Sequence, residues 1–162
     1  MTAESKQLDR LAVRDLIERS SDVINHQEWT GLVALFTDDA VWERLPPTPW
    51  KLEGREAIRT FLAGNVDKLD VLLYAVSATA IDVQDPEHAS ARSTMSELIR
   101  FKKTGAALHV VGTYYDHFIK KSGQWWFARR TIQPRYEDDV AGPTRLLGGT
   151  APPPSAMETI RK

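Results

Sequence analysis

The chain of 162 residues contains no cysteine. That excludes disulfides, thiolate catalysis and cysteine-ligated metal, and it suits a reducing compartment. An excess of one charge is also missing. Lys and Arg number 21 against 22 Asp and Glu, for a formal net charge of -1 with no basic run. Nucleic acid is therefore not expected as the main partner. No apolar run reaches the roughly 18 residues that span a bilayer, and Met1–Arg10 carries no apolar signal segment. No membrane association is expected, and the expected location is the cytoplasm. Histidine is scarce: His26, His88, His109 and His117 are the four present. They show no close ligand spacing, and His109, Asp116 and His117 do not converge on one face, so no metal is expected. Gly148-Gly149 follows no strand-to-helix pattern and no nucleophile elbow occurs, so no nucleotide or other cofactor is expected.

What is present is an ordinary globular composition, 42% hydrophobic and 27% charged. A chain of this length fits one domain that buries about 70% of its unfolded surface. Leu8, Leu11, Ala12, Leu16, Ile17, Val23 and Ile24 recur at helical spacing and predict a first helix from about Leu8 to Asn25. Asn25-His26-Gln27 breaks it. Trp29–Phe36 reads as a short second helix, and Ala40–Leu45 as a strand. Pro46-Pro47-Thr48-Pro49 forces an extended crossing. Gly54 precedes a third helix, Arg55–Asn65, with Ile58, Phe61 and Leu62 on one side. Leu72–Val83, Ala89–Lys102, Ala107–Lys120 and Gln124–Gln133 then read as strands separated by turn residues, an antiparallel meander. Helices first and strands after imply an α+β fold with helices on one face of a curved sheet. The segment 141–162 is rich in Gly and Pro and reads as a loose or partner-draped tail to a 1–140 domain.

Strand alternation picks out the first chemical candidate. In Ala91–Phe101 the odd positions form the apolar face, and they place Glu97 between Met95 and Ile99. A carboxylate there loses hydration, which raises its pKa unless a cation or donors compensate. That is how enzymes hold a general acid or base near neutral pH, although a buried structural ion pair uses the same residues. In the next strand Leu108, Val110, Gly112, Tyr114, Asp116 and Phe118 form the more apolar set. Tyr114 is thus an interior hydroxyl able to donate to a substrate oxygen, or a core tyrosine satisfied by backbone. His109 and His117 fall on the other face, where a subunit could cover them; His109 is kept as a ligand-contacting candidate.

Val13-Arg14-Asp15-Leu16-Ile17, Asn25-His26-Gln27-Glu28-Trp29 and Leu35-Phe36-Thr37-Asp38-Asp39-Ala40-Val41-Trp42 resemble the opening of SnoaL-like proteins. These belong to the nuclear transport factor 2-like cone fold, with scytalone dehydratase and hexachlorocyclohexane dehydrochlorinase among its members. The resemblance covers roughly Leu8 to Asp139 and implies a cone enclosing a pocket. In the elimination enzymes of that group an Asp ends the first helix and a His opens a later strand. Those positions read Asn25 and Tyr74 here. Asn25 can only hydrogen-bond and orient, while a neutral tyrosine is a poor base but a usable donor. His26 is a possible replacement imidazole, although just after a helix it more often faces solvent. Trp125-Trp126-Phe127-Ala128-Arg129-Arg130 matches a Trp-x-Phe-x-x-Arg pattern whose arginine polarises the leaving group. Arg130 takes that role only if the strand is bulged; otherwise Arg129 is the alternative. Trp42 matches a cavity-wall tryptophan, and Trp50 could cap the pocket mouth. Ser21, one turn before Asn25, completes the ligand-contacting set.

The expectation is a cofactor-independent lyase acting by dehydratase-like elimination on a small, largely apolar ring compound. Glu97 would move the proton, and Tyr74, Tyr114 and Arg130 would steady developing oxyanion charge, with Arg130 also pairing with Glu97. An isomerase or cyclase is chemically adjacent. A silent binder of an apolar ligand and the small subunit of a ring-hydroxylating oxygenase are the rivals from other classes. Outward apolar groups such as Val111 and Tyr115 lead to the expectation of a homotrimer or homodimer.

Overall fold

The computed structural model describes residues 1–140; the tail 141–162 lies outside the described residues. Helix α1 runs Ala3–Asn25. It starts at Ala3 rather than Leu8 because Thr2 caps it, its hydroxyl accepting from the Ser5 amide at 3.0 Å. Val13, Leu16, Ile17, Ser20, Val23 and Ile24 form the buried stripe. The helix ends where Gln27 turns to a φ of 57°. Helix α2, Trp29–Val33, is shorter than the pattern predicts. Leu35 and Phe36 are drawn instead into the sheet, where the Leu35 carbonyl accepts from the Phe127 amide at 2.9 Å. Strand β1 is Phe36–Arg44, and the residues after the proline run form β2, Trp50–Glu53. Helix α3 occupies Arg55–Asn65.

The remaining strands are β3 Leu69–Val83, β4 His88–Phe101, β5 Ala107–Lys121 and β6 Gln124–Asp139. The sheet order is β2-β1-β6-β5-β4-β3. Only β1 and β6 pair in parallel; the other neighbours are antiparallel. Helix α1 packs along β3 and α3 over β1, so the helices close one face of a curved sheet. This is the α+β cone that the sequence implies. Inward side chains of that face and of the helices make one core, including Val13, Leu32, Phe36, Ile58, Phe118 and Phe127.

Two bulges in β6 decide which of its side chains reach this interior. At the first, His117 pairs with Arg129 and Phe118 with Phe127, leaving Ala128 as the extra residue. Phe127 and Arg130 therefore both point inward, each with 0% exposure, although strict alternation would separate them. At the second, Gly112 pairs with Pro134 and Val111 with Tyr136, leaving Arg135 extra. A Cβ on Gly112 would lie 2.7 Å from the Gln133 carbonyl oxygen, so only glycine permits this approach. Beyond the second bulge Glu137 comes directly opposite Val110, on the interior face.

Candidate functional site

A cavity of about 280 Å³ opens between the helices and the sheet. Ile24, Leu32, Leu62, Leu72, Met95, Val110 and Ile132 supply its apolar walls. Four aromatic side chains, Trp29, Trp42, Trp50 and Phe61, close one side. Trp42 meets Trp50 edge-on at 5.7 Å, and Trp50 stacks on Phe61 at 5.2 Å, which fixes their ring planes. The polar groups facing this space are Arg44, Asn65, Lys68, Tyr74, Glu97 and Tyr114.

Glu97 sits in β4 directly between Tyr74 on β3 and Val110 on β5. Burial pushes its carboxyl above the usual glutamate range, and the positive charge of Arg44 pulls it partly back. The cation that answers Glu97 is thus Arg44 on β1, not Arg130. This corrects the expected Glu97–Arg130 pairing. Arg44 also contacts the Glu137 carboxylate and donates to the Thr48 hydroxyl.

Arg130 is engaged elsewhere. Its Nε lies 3.2 Å from Asp116 Oδ1, with both side chains at 0% exposure, and its Nη1 donates to Ser20 Oγ at 3.2 Å. The guanidinium stands 4.0 Å from the centre of the Tyr114 ring and 4.5 Å from that of Phe127. It therefore backs Tyr114 from behind and does not line the cavity. Asp116 is pushed up to about 6, because desolvation outweighs the attraction of Arg130. The arginine itself keeps its charge, held by that same carboxylate.

Tyr74 and Tyr114 meet edge-on at 6.2 Å. Burial raises both phenols, Tyr114 to about 12 and Tyr74 well above its ordinary value, so at neutral pH both are donors and neither is a base. The Trp42 indole N–H is buried without an acceptor, and the Tyr74 hydroxyl has no partner besides the neighbouring Tyr114 hydroxyl. Unanswered donors at the wall of an apolar cavity are groups a ligand oxygen can satisfy.

Asn25 does not reach the cavity. Its Nδ2 donates to the Tyr74 carbonyl at 2.7 Å, and its Oδ1 accepts from the Tyr74 amide at 2.8 Å. Strand β3 is the last strand of the sheet, so one side of it lacks a ladder partner. The asparagine amide supplies the missing pair at Tyr74 as a neighbouring strand would.

The model of the SnoaL-like domain matches residues 5–131. The chain belongs to the SnoaL-like domain family. Its fold is also that of a provisionally named scytalone dehydratase from Novosphingobium aromaticivorans, with 22% identity and a TM-score of 0.77. That match covers 93% of this chain and 100% of the other. A type 3 hexachlorocyclohexane dehydrochlorinase from Novosphingobium barchaimii matches with 14% identity and a TM-score of 0.79, over 91% of this chain and 100% of the other. A ketosteroid isomerase-like protein from Erwinia carotovora matches with 16% identity and a TM-score of 0.66, over 76% and 94%. Identities this low show the fold alone. No curated protein matches the sequence.

Within this SnoaL-like frame the sequence candidates separate. Tyr74, Glu97, Tyr114, Trp42 and Trp50 share the cavity. Asn25, Arg130, Ser21 and His109 do not line it. Ser21 turns back to its own helix, bonding the Ile17 carbonyl at 3.4 Å. His109 lies on the outer sheet face, 2.9 Å from Ser96 Oγ and edge-on to Tyr136. His26 is exposed with its ring nitrogen 2.9 Å from the Asp22 carbonyl, so no imidazole faces the cavity among the described residues. Arg44 is a polar cavity residue outside the sequence candidates, as are Asn65 and Lys68. Its signal was present, because Trp42 and Arg44 alternate onto one face of β1. Among the described residues no cluster of His, Asp and Glu could hold a metal ion, and no helix is long and apolar enough to cross a membrane.

Proposed function

We propose that this SnoaL-like protein is a cofactor-independent lyase that performs a dehydratase-like elimination on a small, largely apolar ring compound. The observation that carries the reading is Glu97, a carboxylate that lines an aromatic and aliphatic cavity, with its proton affinity raised by burial. As general base it takes a proton from a ring carbon beside an electron-withdrawing group. The freed electron pair forms the double bond and expels either hydroxide, which takes the proton back from Glu97 and leaves as water, or a halide, after which Glu97 gives its proton to solvent. The Tyr74 and Tyr114 hydroxyls, held neutral by burial, donate to oxygen that gains negative charge on the way. The fold of the dehydratase- and dehydrochlorinase-named structures supports the reaction class by analogy.

The test uses a panel of cyclic β-hydroxyketones and chlorinated cyclohexanes, with products followed by mass spectrometry in D₂O. Glu97→Gln keeps the shape and removes proton transfer, so turnover should fall about 10²–10⁴-fold with ligand binding nearly unchanged. Because the Glu97 carboxyl is raised, the acid limb of the rate profile should lie above the ordinary glutamate range. Full turnover in Glu97→Gln removes the assignment.

A second reading, a non-catalytic binder of the same ligand class, is favoured by one observation. No imidazole faces the cavity among the described residues, and Asn25 is committed to backbone. Binding without turnover across the panel, unaffected by Glu97→Gln beyond about 1 kcal/mol, would select it. Deuterium exchange without elimination would select an isomerase instead.

A further inference from the structure

Glu97 is not the only carboxylate on the cavity face of the sheet. Tyr74, Glu97, Val110 and Glu137 lie in one cross-strand row over β3, β4, β5 and β6. Residues directly opposite one another share a face, so both glutamates stand on the side that bears the cavity. Two strand spacings separate them, about 10 Å between backbones. Arg44 comes in from β1 and contacts Glu137 directly, while its charge also acts on Glu97. One cation thus contacts Glu137 and shares the cavity wall with Glu97, on which it acts through its charge. The Thr48 hydroxyl takes a further donor of the same guanidinium.

We propose that Glu137 is a positioning residue for Glu97: it holds Arg44 and limits how far that cation can turn toward the cavity carboxylate. The other charged or titratable groups around Glu97 leave this role open. From β3 and β5 come the neutral phenols Tyr74 and Tyr114, and Lys68 stands at the exposed mouth. From β6 the guanidinium of Arg130 is committed to Asp116. No other arginine faces the cavity among the described residues. A carboxylate fully paired with arginine is a weak base, and one with no cation nearby stays protonated in an apolar wall. A shared arginine gives the intermediate state that proton transfer requires.

This inference rests on reading Glu97 as the proton-transfer group, but its test needs no substrate, so the two can fail separately. The Glu97 side-chain carboxyl is titrated by ¹³C NMR in the wild type, Glu137→Gln, Arg44→Gln and the double variant. Glu137→Gln removes a negative charge and releases Arg44, and both effects act in one direction. The Glu97 pKa should fall by about 1, the low end of what an approaching arginine does to a carboxylate. Arg44→Gln should raise it, and in that background Glu137→Gln should have a clearly smaller effect. In the wild type the Arg44 guanidinium resonances should follow the Glu97 titration, a readout independent of whether any variant folds. An unchanged or raised Glu97 pKa in Glu137→Gln overturns the proposal. So does an equal effect without Arg44, or a guanidinium signal that ignores the titration.

Discussion

Replacing Asn25 with aspartate introduces the acid that the family resemblance implies for that position, and the structure gives it an unwelcome consequence. The Asn25 amide makes two bonds to one peptide unit, accepting from the Tyr74 amide at 2.8 Å and donating to the Tyr74 carbonyl at 2.7 Å. Asn25→Ala loses both, at about 1 kcal/mol each, and β3 has no further strand to take over. Its cost should be about 2 kcal/mol. Asn25→Asp keeps the acceptor but turns the donor into a carboxylate oxygen facing the Tyr74 carbonyl. At pH 7.5 it should lose about 2–3 kcal/mol, since one bond is replaced by repulsion. Protonation of the introduced carboxyl restores a donor to the carbonyl in the folded state alone. Its folded pKa therefore lies above the unfolded value of about 3.9. The folded state binds that proton more tightly, so the loss relative to wild type is small near pH 4 and complete once pH has risen past the folded pKa. Urea denaturation of wild type and both variants across pH 4–7.5, at constant m, measures this. Equal stability of Asn25→Asp and wild type at pH 7.5 would refute the clamp. Turnover gained without loss of stability would return Asn25 to the cavity.

Three further outcomes follow from the packing. Arg130→Met leaves the Asp116 carboxylate buried without its cation and should cost about 3–5 kcal/mol; combining it with Asp116→Leu should recover most of that, and failure to recover counts against the pair as the cause. Gly112→Ala drives a methyl against the Gln133 carbonyl at the second β6 bulge and should cost about 1–3 kcal/mol by equilibrium denaturation, with a silent substitution removing the close-approach account. Tyr115 and Tyr136, exposed by 39% and 53% on the outer sheet face, should be covered in a homotrimer or homodimer, and sedimentation of a monomer at micromolar concentration would end that expectation.

The α+β order, α3 and the inward faces of β4 and β5 were legible because hydrophobic period and turn residues report on a strand's own residues. Tyr114 and Glu97 fall on the interior face for that reason. The β6 register was not legible, because a bulge adds one residue without changing composition and reverses every inference downstream of it. Arg130 is interior only through the extra Ala128, and Glu137 only through the extra Arg135. The pairing of Asp116 with Arg130 across the β5–β6 hairpin depends on the Ala128 bulge, and that of Arg44 with Glu137 joins residues far apart in the chain. Local pattern carries no information about such partners. Asn25 was misplaced for the same reason, since its two bonds are to a strand edge 49 residues away.

The two positions that depart from the elimination enzymes are physically linked, and that linkage bears on how the cavity would work. A histidine at position 74 would supply a base from β3. Tyr74 cannot, because burial raises its phenol well above an already high pKa. Its direct cross-strand neighbour is Glu97, and paired Cβ atoms in an antiparallel sheet lie about 5 Å apart. On the proposed reading the proton-accepting atom stands one strand over, on β4, and the hydroxyl on β3 is a donor. An imidazole at 74 would profit from a carboxylate at 25 to orient it; a tyrosine donor at 74 does not need one. The residue at 25 is then free to take another task, and an amide performs it where a carboxylate cannot, donating to a carbonyl and accepting from an N–H at once. Restoring either member alone should therefore be worse than the present pair. Only an exchange of both positions, with Glu97 made Gln, asks whether the cavity accommodates the Asp/His arrangement that the resemblance implies.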